Sequence, residues 1–227
     1  MKMPGPKKNF RYVAFYDLDH TILTGNSATK LVEEARRREV MSDRSFRHAL
    51  WLSIIYKTGL GEPAGIINRM LGWLNGLSEE SVRQLCREVF DASLAGTIRP
   101  EIRRAMEHHR AEGGANVLLS SATAPICEPV SQHLQLDDVI CTYLEHRDGI
   151  LTGGTDGKLV YGMEKKHRML AWCSDQGFDP GEAYYYGDSY TDRFVMEAAG
   201  FPVAVSPDRR LLKIALKKNW PILVRDR

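Results

Sequence analysis

A short apolar run, Tyr12 to Tyr16, stops abruptly at an aspartate, Asp17. An apolar run without polar alternation is typical of a strand that is buried on both faces, as in a parallel sheet. Similar short runs recur later in the chain and alternate with segments in which the apolar residues have helical spacing. This alternation predicts an α/β fold with a mainly parallel, doubly wound sheet, in which ligands bind beyond the carboxyl ends of the strands.

The segment between the first and second predicted strands has a different pattern. From Ser27 to about Leu94, apolar residues recur at helical spacing, and no strand-like alternation interrupts them. Ser78 is placed to cap the N-terminus of one of these helices. We therefore predict an all-helical domain, residues 25–96, inserted after the first strand into an α/β core formed by residues 1–24 and 97–227.

Proline and glycine positions give two local predictions. Pro100 suits the first turn of a helix that Gly113 and Gly114 would end. The glycine-rich residues 150–162 are predicted to form a hairpin of their own.

Charge and composition limit the classes of function. The 31 lysines and arginines nearly balance the 29 aspartates and glutamates, so no overall charge favours a nucleic-acid or membrane partner.

The four cysteines are widely spaced and lack a zinc-site or disulfide pattern. The longest apolar stretch, around Leu50 to Tyr56, is too short to cross a bilayer. Without an apolar leader segment, the chain is expected to be cytoplasmic, with reduced thiols. No oligomeric state is predicted.

Acidic residues follow two of the predicted strands. Asp17 and Asp19 come directly after the first strand, and Asp188 ends another short apolar run, with Asp192 four residues later. Carboxylates crowded at a strand end are costly unless a cation neutralises them, and they are good ligands of hard divalent ions. Because the carboxyl ends of parallel strands meet at one edge, the two pairs are expected to lie together at a metal site.

Two further polar residues lie between these acidic pairs in the chain. Ser121 closes a predicted strand, and Lys165 opens a predicted helix. A hydroxyl, neighbouring backbone N–H groups and an ammonium are the groups that a phosphate dianion needs for hydrogen bonds and charge compensation. An exposed serine and a solvated lysine are the more common interpretation of either residue alone, so the prediction rests on their combination with the aspartates.

The order of these motifs resembles that of one enzyme superfamily, the haloacid dehalogenases (HAD). In chain order, the motifs are DLDHT from Asp17, the strand-end Ser121, the helical Lys165 and GDSYTD around Asp188. The chain looks like the subfamily IB hydrolases, described as phosphoserine-phosphatase-like or histidinol-phosphatase-like, from about Tyr12 to Val224. The resemblance implies a HAD-like, Rossmann-like core with a helical cap inserted after the first strand, and a phosphatase that uses Mg²⁺.

The resemblance also implies roles for the acidic residues. Asp17 would be the nucleophile, which forms an aspartyl-phosphate, and Asp19 would act first as general acid and then as general base. The side chains of Asp17 and Asp188 and the backbone carbonyl of Asp19 would hold the Mg²⁺. Asp192 would orient the site through Lys165 or a metal-bound water.

The remaining implied roles concern the substrate phosphate. Ser121, the backbone N–H of Ala122 and Lys165 would bind its oxygens. Ser120 and Lys166 are adjacent alternatives for the serine and lysine roles.

The implied reaction is hydrolysis of a phosphomonoester of a small metabolite, with histidinol phosphate and phosphoserine-like esters as candidates. A phosphotransferase that passes the phosphoryl group to an alcohol shares all four motifs, and a phospho-aspartate signalling switch is an alternative of another class. Asn26 occupies the position at which phosphoserine-specific enzymes resemble one another in having a glutamate that pairs with the substrate ammonium. A neutral amide cannot pair with an ammonium in the same way, which argues against specificity for phosphoserine. His20 is interpreted as structural, because its position along the strand end predicts a side chain that points away from the site.

Overall fold

The computed structural model describes residues 10–58 and 63–225. Strands and helices alternate along the chain, and the elements described between the first two strands are all helical. The strands are β1 (Tyr12–Tyr16), β2 (Gly114–Thr123), β3 (Asp138–Arg147), β4 (Ile150–Asp156), β5 (Tyr184–Gly187), β6 (Phe201–Val205) and β7 (Ile222–Val224). The α-helices are α1 (Ser27–Arg37), α2 (Asp43–Thr58), α3 (Pro63–Met70), α4 (Glu79–Val89), α5 (Pro100–Ala111), α6 (Ala124–Leu134), α7 (Met163–Gln176), α8 (Arg193–Met196) and α9 (Arg209–Lys218).

The strands of the described chain form one sheet with the order β4-β3-β2-β1-β5-β6-β7. All neighbouring pairs are parallel except β3 and β4, which are antiparallel. The chain order reverses next to β1, so β2 and β5 lie on either side of it. This confirms the predicted α/β class and places the binding edge at the carboxyl ends of these three central strands.

The buried strand β1 packs on both of its faces. Ala14 and Tyr16 belong to one apolar core, with α4, α5 and α6, whereas Val13 and Phe15 belong to a second core, with α7, α8 and α9. Alternate residues of a strand face opposite sides of the sheet, so an unbroken apolar run is needed where helices cover both sides.

Local signals place several helix ends where the sequence predicts them. The Ser78 side chain accepts a hydrogen bond from the Ser81 N–H at the start of α4, and Pro100 is the first residue of α5. Gly113 follows the end of α5 with a φ of 78°, a left-handed conformation that glycine adopts without steric cost. Gly114 is the first residue of β2 and not part of the cap.

The prediction of a separate hairpin in residues 150–162 is wrong. Residues 150–156 pair with the preceding strand β3, and residues 157–162 belong to no strand. The turn is formed by Asp148 and Gly149, whose φ values of 50° and 76° have the positive sign that tight two-residue hairpins require. An Asp-Gly pair between two runs of β-type residues is itself a hairpin signal. As a predictor of the turn position, it is stronger than the glycines later in the sequence.

The helical segment between β1 and β2 leaves and rejoins the sheet at neighbouring points. Leu23 and Ile98 form an antiparallel bridge, and the Thr24 N–H donates to the Thr97 carbonyl at 2.9 Å. The segment also contacts the β3–β4 hairpin, where the Gly76 N–H donates to the Leu151 carbonyl at 2.9 Å. Among the described residues, no helix is long and apolar enough to cross a membrane.

Candidate active site

The candidate site lies at the carboxyl ends of the central strands. Asp17 follows β1, and its N–H donates to the Tyr186 carbonyl of β5 at 3.0 Å. Asp188 follows β5 directly, and Ser121 lies near the end of β2, on the other side of β1. Parallel register therefore brings together residues that are more than 100 positions apart in the chain.

Asp17, Asp188 and Asp192 form a buried carboxylate cluster. One oxygen from each of the three side chains lies within 4.8 Å of the other two. Burial is the main cause that raises the pKa of Asp17, and the neighbouring charge of Lys165 opposes this effect. Buried carboxylate oxygens that converge in this way are the donor set that a hard divalent cation such as Mg²⁺ prefers, so the residues present fit the ion that the sequence implies.

Lys165 is the cationic member of this cluster. It lies in the first turn of α7, is 3% exposed, and places its Nζ 2.8 Å from Asp17 Oδ1 and 2.7 Å from Asp192 Oδ1. Burial disfavours the charged form, but the two carboxylates outweigh that cost and hold the pKa of Lys165 well above its usual range. The ammonium is therefore retained in the site at neutral pH.

Asp192 is fully hydrogen-bonded by protein groups. Its Oδ1 accepts from Lys165 and from the Tyr185 hydroxyl at 3.1 Å, and its Oδ2 accepts from the Ser189 N–H and hydroxyl at 3.2 and 3.0 Å. These four donors occupy the acceptor positions of the carboxylate. Although Asp192 lies within the cluster, its contacts suit the orientation of Lys165 better than direct ligation of a metal.

The Asp19 side chain is hydrogen-bonded to the first residues of the α1 N-terminus. Its Oδ1 accepts from the Ser27 N–H at 2.7 Å, and its Oδ2 accepts from the Asn26 side-chain amide at 3.3 Å. Burial raises the pKa of Asp19 to about 6, and the Ser27 N–H opposes the shift. A carboxyl group with a pKa near neutrality can both donate and accept a proton at physiological pH.

A wide turn over Leu18–Ile22 sets the direction of the Asp19 side chain. His20 has a φ of 61° in this turn, and its N–H donates to the Gly25 carbonyl at 3.1 Å. The backbone thereby bends back on itself immediately after the strand, bringing Asp19 to the first residues of α1. The prediction that the His20 side chain points away from the site stays a prediction.

The two adjacent serines of β2 have different environments. Ser120 is buried and its Oγ accepts from the Ala122 N–H at 3.2 Å, whereas Ser121 is half-buried. The Ser121 carbonyl accepts from the Thr142 hydroxyl at 3.0 Å. The more accessible hydroxyl is therefore that of Ser121, and the Ala122 N–H is engaged within the strand end.

Asn26 has an internal role in the structure. Its Oδ1 caps α1 by accepting from the Thr29 N–H at 2.9 Å, while its Nδ2 donates to Asp19. Both ends of the amide are thus used within the protein, next to the proposed acid and base.

Three further residues, which the sequence does not mark as functional, contact Asp192 or the loop that carries it. Tyr185 and Ser189 donate to Asp192, and Asp208 accepts from the Tyr190 N–H at 2.7 Å. Ser189 lies in the GDSYTD motif, but nothing in the local sequence marks Tyr185 or Asp208, because their roles depend on which strands are neighbours.

Curated proteins of similar sequence include several hydrolases. The chain is 28% identical over 218 residues to the Inhibition of morphological differentiation protein of Streptomyces azureus, covering 94% of this chain and 78% of that protein. It is 27% identical to a histidinol-phosphatase of Neisseria meningitidis, covering 93% and 97% of the two chains. It is 25% identical to phosphoserine phosphatase SerB1 of Mycobacterium tuberculosis, covering 96% and 72%.

Solved structures share the fold at low sequence identity. A protein of unknown function from Bordetella pertussis has a TM-score of 0.87 and 24% identity, with 96% of this chain and 100% of that chain covered. A phospho-aspartyl intermediate analogue of phosphoserine phosphatase has a TM-score of 0.70 and 16% identity, with 96% and 95% covered. The family model for haloacid dehalogenase-like hydrolases matches residues 14–197, and the chain therefore belongs to the haloacid dehalogenase-like hydrolases.

Proposed function

We propose that this protein is a Mg²⁺-dependent phosphomonoesterase that acts on a small phosphorylated metabolite through an aspartyl-phosphate on Asp17. The observation that carries this proposal is the buried contact between Lys165 and Asp17, with Asp188 beside them, at the carboxyl ends of the central strands. The site combines a nucleophile, a cation site and a fixed ammonium. Phosphoryl transfer requires these groups for positioning and charge compensation.

The carboxylate cluster would hold the metal. The side chains of Asp17 and Asp188 and the backbone carbonyl of Asp19 would be its protein ligands. A bound Mg²⁺ supplies charge neutralisation for phosphate oxygens and for the carboxylates around it. Asp192 would act through Lys165, because its own oxygens already accept from Lys165, Tyr185 and Ser189.

The substrate phosphate would lie between Asp17 and the end of β2. Asp17 attacks phosphorus, the bond to the alcohol oxygen breaks, and the phosphoryl group is carried on the Asp17 carboxylate. Lys165 and the Ser121 hydroxyl would bind the non-bridging oxygens as charge moves onto them. The Ala122 N–H would join them if it exchanges its hydrogen bond with Ser120 for one with the phosphate.

Asp19 would transfer the protons of both steps. Protonated, it would donate to the departing alcohol oxygen; as a carboxylate, it would then take a proton from the water that hydrolyses the aspartyl-phosphate. Its hydrogen bonds to Ser27 and Asn26 hold the carboxyl group at the start of α1.

The helical segment would act as a cap domain, with residues 25–96 separate from a core of residues 1–24 and 97–227. Support comes from the adjacent exit and return points of the chain at Leu23 and Ile98. A cap at this position would cover the strand ends and exclude bulk water from the reacting phosphate.

Two candidate substrates follow from the relatives named histidinol-phosphatase and phosphoserine phosphatase. Asn26 carries no charge to pair with a substrate ammonium, and its amide already bonds Thr29 and Asp19. The structure therefore offers no carboxylate from this position, which favours esters other than phosphoserine itself.

The test is a phosphate-release assay over a panel of phosphorylated metabolites with Mg²⁺, including histidinol phosphate and phosphoserine. The Asp17→Asn variant is expected to lose activity by roughly 10³-fold or more, because an amide is not a nucleophile toward phosphorus. Asp175→Asn, an exposed aspartate of α7, is the matched control. Turnover by Asp17→Asn equal to that of the parent would contradict the proposal, and transfer of phosphate to added alcohols would identify a phosphotransferase instead.

A further inference from the structure

The loop that carries Asp188 and Asp192, residues 188–192, is bound from outside the site by one aspartate. The Asp208 N–H donates to the Asp188 carbonyl at 2.8 Å, and Asp208 Oδ2 accepts from the Tyr190 N–H at 2.7 Å. Asp208 thereby contacts this acidic loop at two points that flank Ser189. Both bonds are made to backbone atoms of the loop, and neither uses the side-chain carboxylate of Asp188 or Asp192.

The second oxygen of Asp208 is bonded to a helix. Its Oδ1 accepts from the Arg210 and Leu211 N–H groups, each at 2.8 Å, and so caps the N-terminus of α9. Hydrogen bonds to an ionised carboxylate are stronger than those between neutral groups. One carboxylate therefore joins the acidic loop to a helix that packs on the sheet through Leu211 and Ala215.

Tyr190, at the middle of the acidic loop, is held on its ring as well as on its N–H. The guanidinium carbon of Arg193 lies 3.8 Å from the ring centroid, and that of Arg210 lies 3.6 Å from it. Both contacts are close enough for favourable cation–π interaction. Since Arg210 belongs to α9, this contact adds to the link that Asp208 makes between the loop and the helix.

We propose that Asp208 is a positioning residue of the cation site, which acts by holding the acidic loop in place. The carboxylates of Asp17, Asp188 and Asp192 repel one another, and without a fixed backbone the loop can relieve that repulsion by moving outward. The Asp208 contacts oppose this movement, so Asp188 is already close to Asp17 before a cation binds. The inference rests on the proposed function, because it assigns Asp208 a role in the same Mg²⁺ site.

The test separates the role in the loop from the role as a helix cap. Asp208→Ser retains a good N-cap but is too short to reach the Tyr190 N–H with a second oxygen. Asp208→Asn can retain the cap through its carbonyl oxygen, but it turns an amide NH₂ toward Tyr190. Both variants are expected to bind Mg²⁺ about tenfold or more weakly in calorimetric titrations without substrate, with little change in urea-unfolding midpoint.

Asp179→Asn is the matched control, because Asp179 caps a short helical turn through the Gly181 N–H at 2.8 Å, in a segment separate from the acidic loop. It is expected to bind Mg²⁺ as the parent does. Parent-like affinity in both Asp208 variants would overturn the positioning role while leaving the proposed function intact. A parent protein that gives no Mg²⁺ binding isotherm would contradict the proposed function, and with it this inference.

Discussion

Among single residues, Lys165 balances the buried negative charge of the site. It is almost fully buried and bonded to both Asp17 and Asp192, so its removal leaves two carboxylates close together without a cation of the protein's own. Loss of one partner from a buried ionic network is costly because the remaining charges stay desolvated. Lys166, the next residue, is half-buried and makes none of these contacts in the structure.

Lys165→Gln is therefore expected to reduce phosphate release by roughly 10²–10³-fold and to lower the free energy of unfolding by about 3 kcal/mol. Lys166→Gln is the control and should change both quantities little. Kinetics and urea unfolding of the two variants provide the measurement. If Lys166→Gln were the inactive variant, the lysine role would belong to that residue.

Gly187 is needed because side chains of the site surround it. A Cβ at this position would lie 2.7 Å from Tyr185 Cε1 and 3.0 Å from Asp192 Oδ2. The first distance is shorter than a Cβ atom tolerates and the second is unusually tight, so the Tyr185 ring or the Asp192 carboxylate would have to move. The glycine of the GDSYTD motif is thus explained by packing against Asp192, which accepts a hydrogen bond from Lys165.

Gly187→Ala is expected to destabilise the protein by about 1–3 kcal/mol and to lower kcat, because Asp192 is displaced from Lys165. Gly96→Ala is the matched control, since a Cβ there meets no atom within 4 Å. Thermal unfolding and steady-state kinetics compare the two. A Gly187→Ala protein as stable and active as the parent would show that the clash is relieved at no cost.

At the scale of elements, a buried hydrogen-bonded network joins α5 to the central strands. His109 of α5 is hydrogen-bonded through Nδ1 to the Tyr12 hydroxyl at 2.9 Å and through Nε2 to the Tyr186 hydroxyl at 2.8 Å. A neutral imidazole can accept from one tyrosine and donate to the other, which satisfies both nitrogens. Burial lowers the pKa of His109 to about 4.

This network predicts a pH dependence of stability. Because the folded pKa is below the unfolded value of about 6.5, the unfolded chain binds the extra proton first as pH falls. The contribution of His109 is complete above pH 6.5 and is lost progressively toward pH 4, by about 2 kcal/mol after allowance for solvent screening. Urea unfolding at pH 7.5 and 5.0 measures it.

The control for this prediction is the neighbouring residue. His109→Gln is expected to have a smaller loss of stability between the two pH values than the parent, whereas His108→Gln, at an exposed position, should retain the parental pH dependence. Equal pH dependence in the parent and His109→Gln would exclude His109 as its source.

The β3–β4 hairpin shows where the prediction of elements was incomplete. The sequence contains the Asp148-Gly149 turn, but the prediction placed the hairpin further along the chain, in the glycine-rich stretch that follows. Gly153 in that stretch has a φ of 79°, and a Cβ there would lie 3.3 Å from Gly72 Cα of the helical segment. The glycine permits close approach between hairpin and helical segment rather than a turn.

At the scale of the whole molecule, the carboxylate cluster predicts a link between cation binding and folding. Mutual repulsion among Asp17, Asp188 and Asp192 opposes the folded state, and a cation that binds only the folded protein relieves it. We expect saturating Mg²⁺ to raise the unfolding free energy, by about 2.7 kcal/mol at a concentration 100 times its Kd.

Thermal unfolding with Mg²⁺ and with EDTA measures this effect. Asp188→Asn should abolish most of the Mg²⁺-dependent shift, whereas Asp175→Asn should retain it. An equal shift in Asp188→Asn and the parent would place the stabilising ion elsewhere.

The sequence alone determined the fold class and which residues close the central strands. An unbroken apolar strand must be covered on both faces, and the carboxyl ends of parallel strands share one edge, so Asp17, Ser121 and Asp188 could be placed together without coordinates. The tertiary structure decided how those residues are held. It gave Asp19 its contacts with α1, Asp192 its bonds to Lys165 and Tyr185, and the acidic loop its link to Asp208. These contacts depend on side-chain directions and on which distant elements are neighbours, and neither is set by local residue spacing.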